Sequence, residues 1–417
     1  MKLHQKSIES RLKLLGERGL LLPDAYQHFK KLSNSDLSDR VAHCVEQMIG
    51  TFGIPVGIVE QVPINDDLVP VTMAIEESGI IQGVHMMSKL VRVCGELRAA
   101  RINKGLIGQI FYDQEVFFHI EEYIQNQKAL IIADANSDPL SAVYQHGGGM
   151  KDVWIRQLDE QTCIVEVLVD TADAMGCRTI NRLCYWLKER IAKQTGKQAN
   201  WAAMSNSSDQ QLYQAEIFLH GQDEKYCNNM VRLLDIANRD TKRAVNVNKS
   251  IMNGFEAILM ATGNDCRAAS ASAHAYAARH GVYEPLLHVS KAEGGMLYAS
   301  LTMPVVAGTV GGMTGVHLTA SYCREIMGIR SSDELALRAV SCGLLSSLAT
   351  MQELVSDKVA HVKERSHCKN LALQLDVSPG EYKQLVSMLD IRLSESGQVT
   401  MADAKQLLVS IRADAVL

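Results

Sequence analysis

Four short segments hold the side chains that can do chemistry. Glu76 and Glu77 stand where the strand-like run Leu68-Val-Pro-Val-Thr-Met-Ala-Ile75 ends. Lys249 lies in Asn248-Lys-Ser-Ile-Met-Asn253, ahead of an apolar run, and Asp265 closes Ala261-Thr-Gly-Asn-Asp265. A fixed ammonium beside carboxylates stabilises a carbonyl oxygen that gains negative charge, and the carboxylates tune its protonation. Taken singly, each group is ordinary: a solvated lysine, a polar strand end, an aspartate capping a helix. The fourth segment is the strand-like Ile164–Asp170, then Asp173-Ala-Met-Gly176, then a helix with Ile180, Leu183, Cys184, Leu187 and Ile191 on one face. A helix N-terminus offers unpaired N–H groups and the positive end of a dipole, which suits a pyrophosphate. The same residues also cap helices for structural reasons, and no G-x-G-x-x-G fingerprint is present. His361 and His367 fall on one expected helix over 354–373. Six residues are about 600° of turn, so the two point to opposite faces and share no metal.

The elements that must position these groups follow from periodicity. Helices are expected over 8–15 and, from Leu37, Val41, Val45 and Met48, over 36–49. A hairpin turns at Asn65-Asp66-Asp67. From about Leu106, short apolar runs alternate with amphipathic stretches, as in a small α+β domain. The chain has 417 residues and a net charge of −5 (42 Lys and Arg against 47 Asp and Glu), with no long basic run, so no nucleic-acid surface is expected. No apolar run reaches the length of a membrane span, and Met1–Arg11 lacks the apolar core of a signal peptide. Ten cysteines stand singly without a C-x-x-C pair, which fits a reducing, cytoplasmic compartment.

Together these motifs resemble the 3-hydroxy-3-methylglutaryl-coenzyme A reductase family in its bacterial, class II form. Glu46-Gln-Met-Ile-Gly-Thr-Phe52 resembles its E-N-x-I-G-T-F, and Leu68-Val-Pro with Glu76-Glu77 its V-P…E-E-P-S. Gly147–Gly149 and Asp173–Asn181 match G-G-G and D-A-M-G-A-N-x-x-N. Asn248–Gly254 and Ala261–Ala268 match N-K-G-I-M-N-G and A-T-G-N-D-W-R-A. The likeness runs from about residue 10 to 375.

The resemblance implies reduction of a thioester to an alcohol by two hydrides from NADH or NADPH, with no metal. It implies a mixed α/β substrate domain (1–105 and 212–375) interrupted by a small ferredoxin-like dinucleotide domain (106–211), with a helical C-terminal flap (376–417). It implies a homodimer or larger homo-oligomer. Glu77 would match the proton-donating glutamate, Lys249 the oxyanion-stabilising lysine and Asp265 the aspartate that links them. Arg243 and Asn253 would meet the substrate, and Asp173, Met175, Gly176 and Asn181 the dinucleotide. Asp138 lies where the family chooses its cofactor, and a carboxylate there repels a 2′-phosphate, which favours NADH.

Some positions depart from the family pattern. In its C-terminal G-H-M-x-L-H-A-[RK]-N the first histidine protonates the departing thiolate. An ungapped match puts His367 at the second histidine and Lys363 at the first; His361 reaches that place only with a two-residue shift, about 200° on a helix. Ser78-Gly79 replaces P-S, Cys266 a tryptophan, Gly315 a lysine and Leu318 a proline. Two alternatives stand beside the implied reduction: a reductase with an altered substrate or slowed thioester step, which the changes at 78–79 and 315–318 favour, and a non-catalytic protein that binds a coenzyme A ester or nucleotide, against which the retained Glu77, Lys249 and Asp265 argue.

Overall fold

In the computed structural model, the described residues are 6–33, 40–356 and 367–414. The chain divides into two compact units, Met1–Ala349 and Thr350–Leu417. The first unit opens with α1 (Ile8–Glu17), whose N-cap Ser7 accepts from Ser10 N, and α2 (Pro23–Ser33). The helix expected over 36–49 is not formed in its described part: only Arg40 and Val41 are helical, turns follow to residue 47, and Gln47 has φ 59°. The reason is the missing core. Val45 is 47% exposed and only Met48 is buried, so an apolar stripe there would face water. Arg11 instead holds this segment through Met48 O at 2.8 Å.

β1 (Val56–Ile64) and β2 (Asp67–Ala74) form the expected hairpin, closed at Asn65 with φ 55°. β1 packs on α3 (Ile80–Cys94). β3 (Gly95–Arg101) then enters an antiparallel sheet of order β3-β8-β10-β9, with β8 Leu212–Leu219, β9 Leu287–Ala292 and β10 Met296–Pro304. β3 and β8 are hydrogen-bonded neighbours, so the segment between them is an insertion.

That insertion has its own sheet of order β5-β6-β4-β7, built from β4 (Leu106–Asp113), β5 (Gly149–Gln157), β6 (Thr162–Asp170) and β7 (Trp201–Met204). Two long helices, α4 (Phe117–Ser137) and α6 (Cys177–Thr195), join α5 (Ser141–Gln145) around it. The β-α-β-β-α-β order with a 4-1-3-2 arrangement is ferredoxin-like. Its core is Ile110, Ile120, Ile131, Val165, Val167, Ile180, Leu183 and Leu187, all fully or nearly fully buried.

The rest of the first unit is helical: α7 (Glu224–Arg239), α8 (Thr241–Ala261), α9 (Cys266–Ala277), α10 (Leu318–Met327) and α11 (Ser332–Val355). α8 is buried on most sides because it lies against β2 as well as its helical neighbours. Gly254 permits this: a Cβ there would sit 2.2 Å from Cys342 O on α11. Gly254→Ala should therefore cost about 1–3 kcal/mol through overpacking, read as a lower midpoint in chemical denaturation.

The described residues of the second unit are mainly helical. A helical segment over 367–373 precedes α12 (Pro379–Ser396), which starts with a Ser378/Glu381 capping box, and α13 (Met401–Asp414). Cys368, Leu371, Ala372, Leu385, Leu389, Ala404 and Leu408 form its core. Among the described residues no helix is long and apolar enough to cross a membrane.

Candidate active site

β2 delivers Glu77 just past its end, before Gly79 (φ 91°) starts α3. Asp240 caps α8 by accepting from Lys242 N at 3.0 Å; the helix then buries Val247, Ile251 and Ile258 and leaves Lys249 outward. Lys249 Nζ donates to Glu77 Oε2 at 2.8 Å. The two side chains are 57% and 49% exposed. A pair so wetted contributes little to stability, so its placement needs another explanation than folding. It lies in a cleft of about 430 Å³, whose walls include Ile75, Glu76, Met252, Asn253, Glu256 and His274.

Asn253 thus joins Lys249 one helical turn on. Arg243 is half-buried, donates to Asn246 Oδ1 at 3.1 Å and does not line the cleft. Asp265 is the N-cap of α9, accepting from Arg267 N at 3.0 Å and Ala268 N at 3.3 Å. Its carboxylate also takes two hydrogen bonds from the Arg267 guanidinium, both 3.0 Å. Arg267 holds the Asp265 carboxyl below the usual carboxylate range, with the helix N–H groups adding to this against a smaller burial effect. In this arrangement Asp265 does not bond Lys249 or Glu77. Asp265→Asn keeps an acceptor for the helix end, whereas Asp265→Ala should lose the cap, about 0.5–2 kcal/mol. If Asp265 serves the reaction, both variants lose turnover but only the alanine loses the cap contribution, which denaturation midpoints resolve.

Glu256 and His274 are cleft residues that motif reading passed over. Glu256 had a signal, since it stands seven residues after Lys249 and so on the same helical face. His274 had none; its Nδ1 pairs with Tyr283 Oη at 2.8 Å. Cys266, beside Asp265, is a neutral thiol: burial pushes it up to about 12, and the Glu256 and Asp265 charges add to this.

The second constellation lies at the start of α6. Gly176 is its N-cap at φ 90°, with no side-chain hydrogen bond to the helix end. The turn before it is tightly held: Ala172 has φ 53°, Thr171 Oγ1 donates to Ala174 O at 2.7 Å, and Ser332 N donates to Asp173 Oδ1 at 2.7 Å. The Asp173 carboxylate thus anchors the start of α11. Asn181 Oδ1 accepts from Met204 N at 2.7 Å and so ties α6 to β7. Met175 packs partly buried against the ferredoxin-like core. Asp138 is exposed at the end of α4, its backbone carbonyl bonded by Ser141. His367 is exposed at the start of the helical segment of the second unit. Lys363 and His361 lie outside the described residues.

Residues 7–368 match the family model for hydroxymethylglutaryl-coenzyme A reductase. The chain belongs to that family. The 3-hydroxy-3-methylglutaryl-coenzyme A reductase of Archaeoglobus fulgidus is 30% identical over 98% of this chain and 94% of its own length. A probable reductase of the same name from Borreliella burgdorferi is 25% identical over 81% of this chain and 79% of itself. Among solved structures, the class II reductase of Streptococcus pneumoniae bound to NADPH has a TM-score of 0.74 and 28% identity, covering 85% of this chain and 98% of the other. A second structure from that organism covers 98% and 99%, with a TM-score of 0.74 and 27% identity. The class II fold is therefore shared over nearly the whole length.

Proposed function

We propose that this protein reduces 3-hydroxy-3-methylglutaryl-coenzyme A to mevalonate and free coenzyme A with two equivalents of NAD(P)H, or runs the reverse oxidation. The observation that carries the reading is the 2.8 Å Lys249–Glu77 pair in the cleft of a chain from this family. Lys249 holds an ammonium where a carbonyl oxygen gains charge, once in the thioester step and once in the aldehyde step. Glu77 in its protonated form gives its carboxyl proton to the aldehyde oxygen and is left as the carboxylate that the Lys249 ammonium holds. Asn253 lines the same cleft and positions the acyl group, whereas Asp265 and Arg243 are not among its lining residues.

The dinucleotide supplies the hydride when bound. The N-terminus of α6 suits its pyrophosphate, because Gly176 offers no capping side chain to its first N–H groups and adds no bulk at the cap. On this reading residues 106–211 are the dinucleotide domain, 1–105 and 212–375 the substrate domain and 376–417 a flap. Asp173 and Asn181 hold the dinucleotide site in shape, Met175 and Gly176 border it, and the exposed Asp138 favours NADH by repelling a 2′-phosphate. The assembly is a homodimer or a larger homo-oligomer in the cytoplasm. His367 stands at the second histidine of the family's C-terminal motif.

The test is to mix the protein with hydroxymethylglutaryl-coenzyme A and follow NADH and NADPH oxidation separately. Two nicotinamides oxidised per coenzyme A released, with NADH preferred, is the expected result. No oxidation of either would overturn the reading, and a preference for NADPH would remove Asp138 from it.

A further inference from the structure

Asn264 stands directly before Asp265 and is 9% exposed. Its side chain is not among those lining the Lys249 cleft and is spent on two bonds. Nδ2 donates to Thr262 Oγ1 at 3.0 Å, within its own loop. Oδ1 accepts from Gly308 N at 2.7 Å, from a segment 44 residues away. Gly308 in turn lies flat on the turn before α6: a Cβ there would stand 2.7 Å from Met175 N and 3.1 Å from Asp173 O. The next two residues continue the attachment. Thr309 N and Val310 N donate to Asp173 O at 2.8 and 3.3 Å, and Val310 bridges Ala174 in parallel. One carboxamide therefore connects the loop that ends in Asp265 with the turn that ends in Gly176.

We infer that Asn264 is a positioning residue that registers the dinucleotide turn against the loop carrying Asp265. The inference rests on reading 173–176 as the dinucleotide site. Truncating Asn264 leaves the buried Gly308 N–H without its acceptor, so the 308–310 segment moves to find another partner. The 173–176 turn, hydrogen-bonded to that segment, moves with it. Hydride transfer is steep in distance, and a misplacement of about 1 Å costs about a hundredfold. The Lys249–Glu77 pair stands on α8 and the segment after β2, and neither side chain uses this bond.

The experiment compares the full-length parent with Asn264→Ala, Asn264→Asp and Gly308→Ala. Dinucleotide Kd is read from NADH and NADPH fluorescence, and kcat and the KM for hydroxymethylglutaryl-coenzyme A from turnover. Asn264→Ala is expected to raise the dinucleotide Kd about tenfold and to lower kcat about 10–100-fold, with that KM within threefold of the parent. Asn264→Asp keeps an acceptor for Gly308 N and should bring the dinucleotide Kd back to within threefold. Gly308→Ala, which pushes the turn from the other side, should weaken dinucleotide binding as Asn264→Ala does. A folded Asn264→Ala protein with parental dinucleotide Kd overturns the inference. So does an equal loss of dinucleotide and thioester affinity, which marks general loosening. Should Asn264→Ala not fold, an unchanged dinucleotide Kd in Gly308→Ala overturns it. A parent that binds neither dinucleotide brings down the reading of 173–176 itself, and the inference with it; a parent that binds while the variants do not differ brings down the inference alone.

Discussion

Lys249→Met is expected to lower reduction of both hydroxymethylglutaryl-coenzyme A and free mevaldehyde by about 10²–10³-fold while the protein stays folded. The magnitude is that of removing one preorganised donor from a developing oxyanion. The stability half follows from exposure: Nζ is bonded to Glu77 at 2.8 Å, but both side chains are about half in water, so their pair adds little to the folded state. Glu77→Gln keeps the hydrogen-bonding shape and removes the transferable proton. It should cost about 10²–10⁴-fold, with the larger effect on mevaldehyde, whose oxygen needs that proton. Measuring both substrates decides the assignment. Parental rates in Lys249→Met would show that the pair is an ordinary surface contact.

Lys363→Met is expected to slow the thioester reaction by about 10²–10⁴-fold and to leave mevaldehyde reduction within threefold. Only the first step expels a thiolate, so only that step needs the acid at the family's histidine position. An ammonium holds its proton roughly a hundredfold more tightly than a thiol does, whereas an imidazolium holds it roughly a hundredfold less tightly. Transfer from an ordinary ammonium is therefore uphill, and Lys363→His should speed the thioester step. The pH profile should separate the donors further. An imidazolium loses its proton as pH rises past about 6.5, while an ammonium stays charged to about pH 10. Thioester reduction by the parent should persist at alkaline pH, and in Lys363→His it should fall there. A thioester rate unchanged in Lys363→Met and lost in His361→Gln would move the role to His361.

Much of the architecture was legible as periodicity. The amphipathic run after Gly176 became α6, with Ile180, Leu183, Cys184, Leu187 and Ile191 buried, because one apolar stripe on a long helix has a single way to face a core. Asn65 marked the hairpin because its side chain tolerates the left-handed backbone that a two-residue turn requires. The motifs around Glu77, Lys249 and Asp265, and through them the family, were readable because they are local strings. The helix expected over 36–49 does not continue past Val41, for the opposite reason. Its pattern was local, but whether a helix persists depends on a surface to bury against, and Val45 has none.

What no local pattern carried is which groups meet. Glu77 and Lys249 are 172 residues apart in the chain and 2.8 Å apart in space, joined because β2 packs on α8. Asp265 has the composition of a catalytic carboxylate, yet its oxygens are taken up by the α9 end and by Arg267, two residues on. Asp173 likewise anchors α11 through Ser332, and Asn264 reaches Gly308. Residue type and spacing set what each side chain is able to do and which helix or strand will present it. Packing between distant segments selects the partner, because a hydrogen bond needs its donor and acceptor within about 3 Å, and only the folded chain brings them that close.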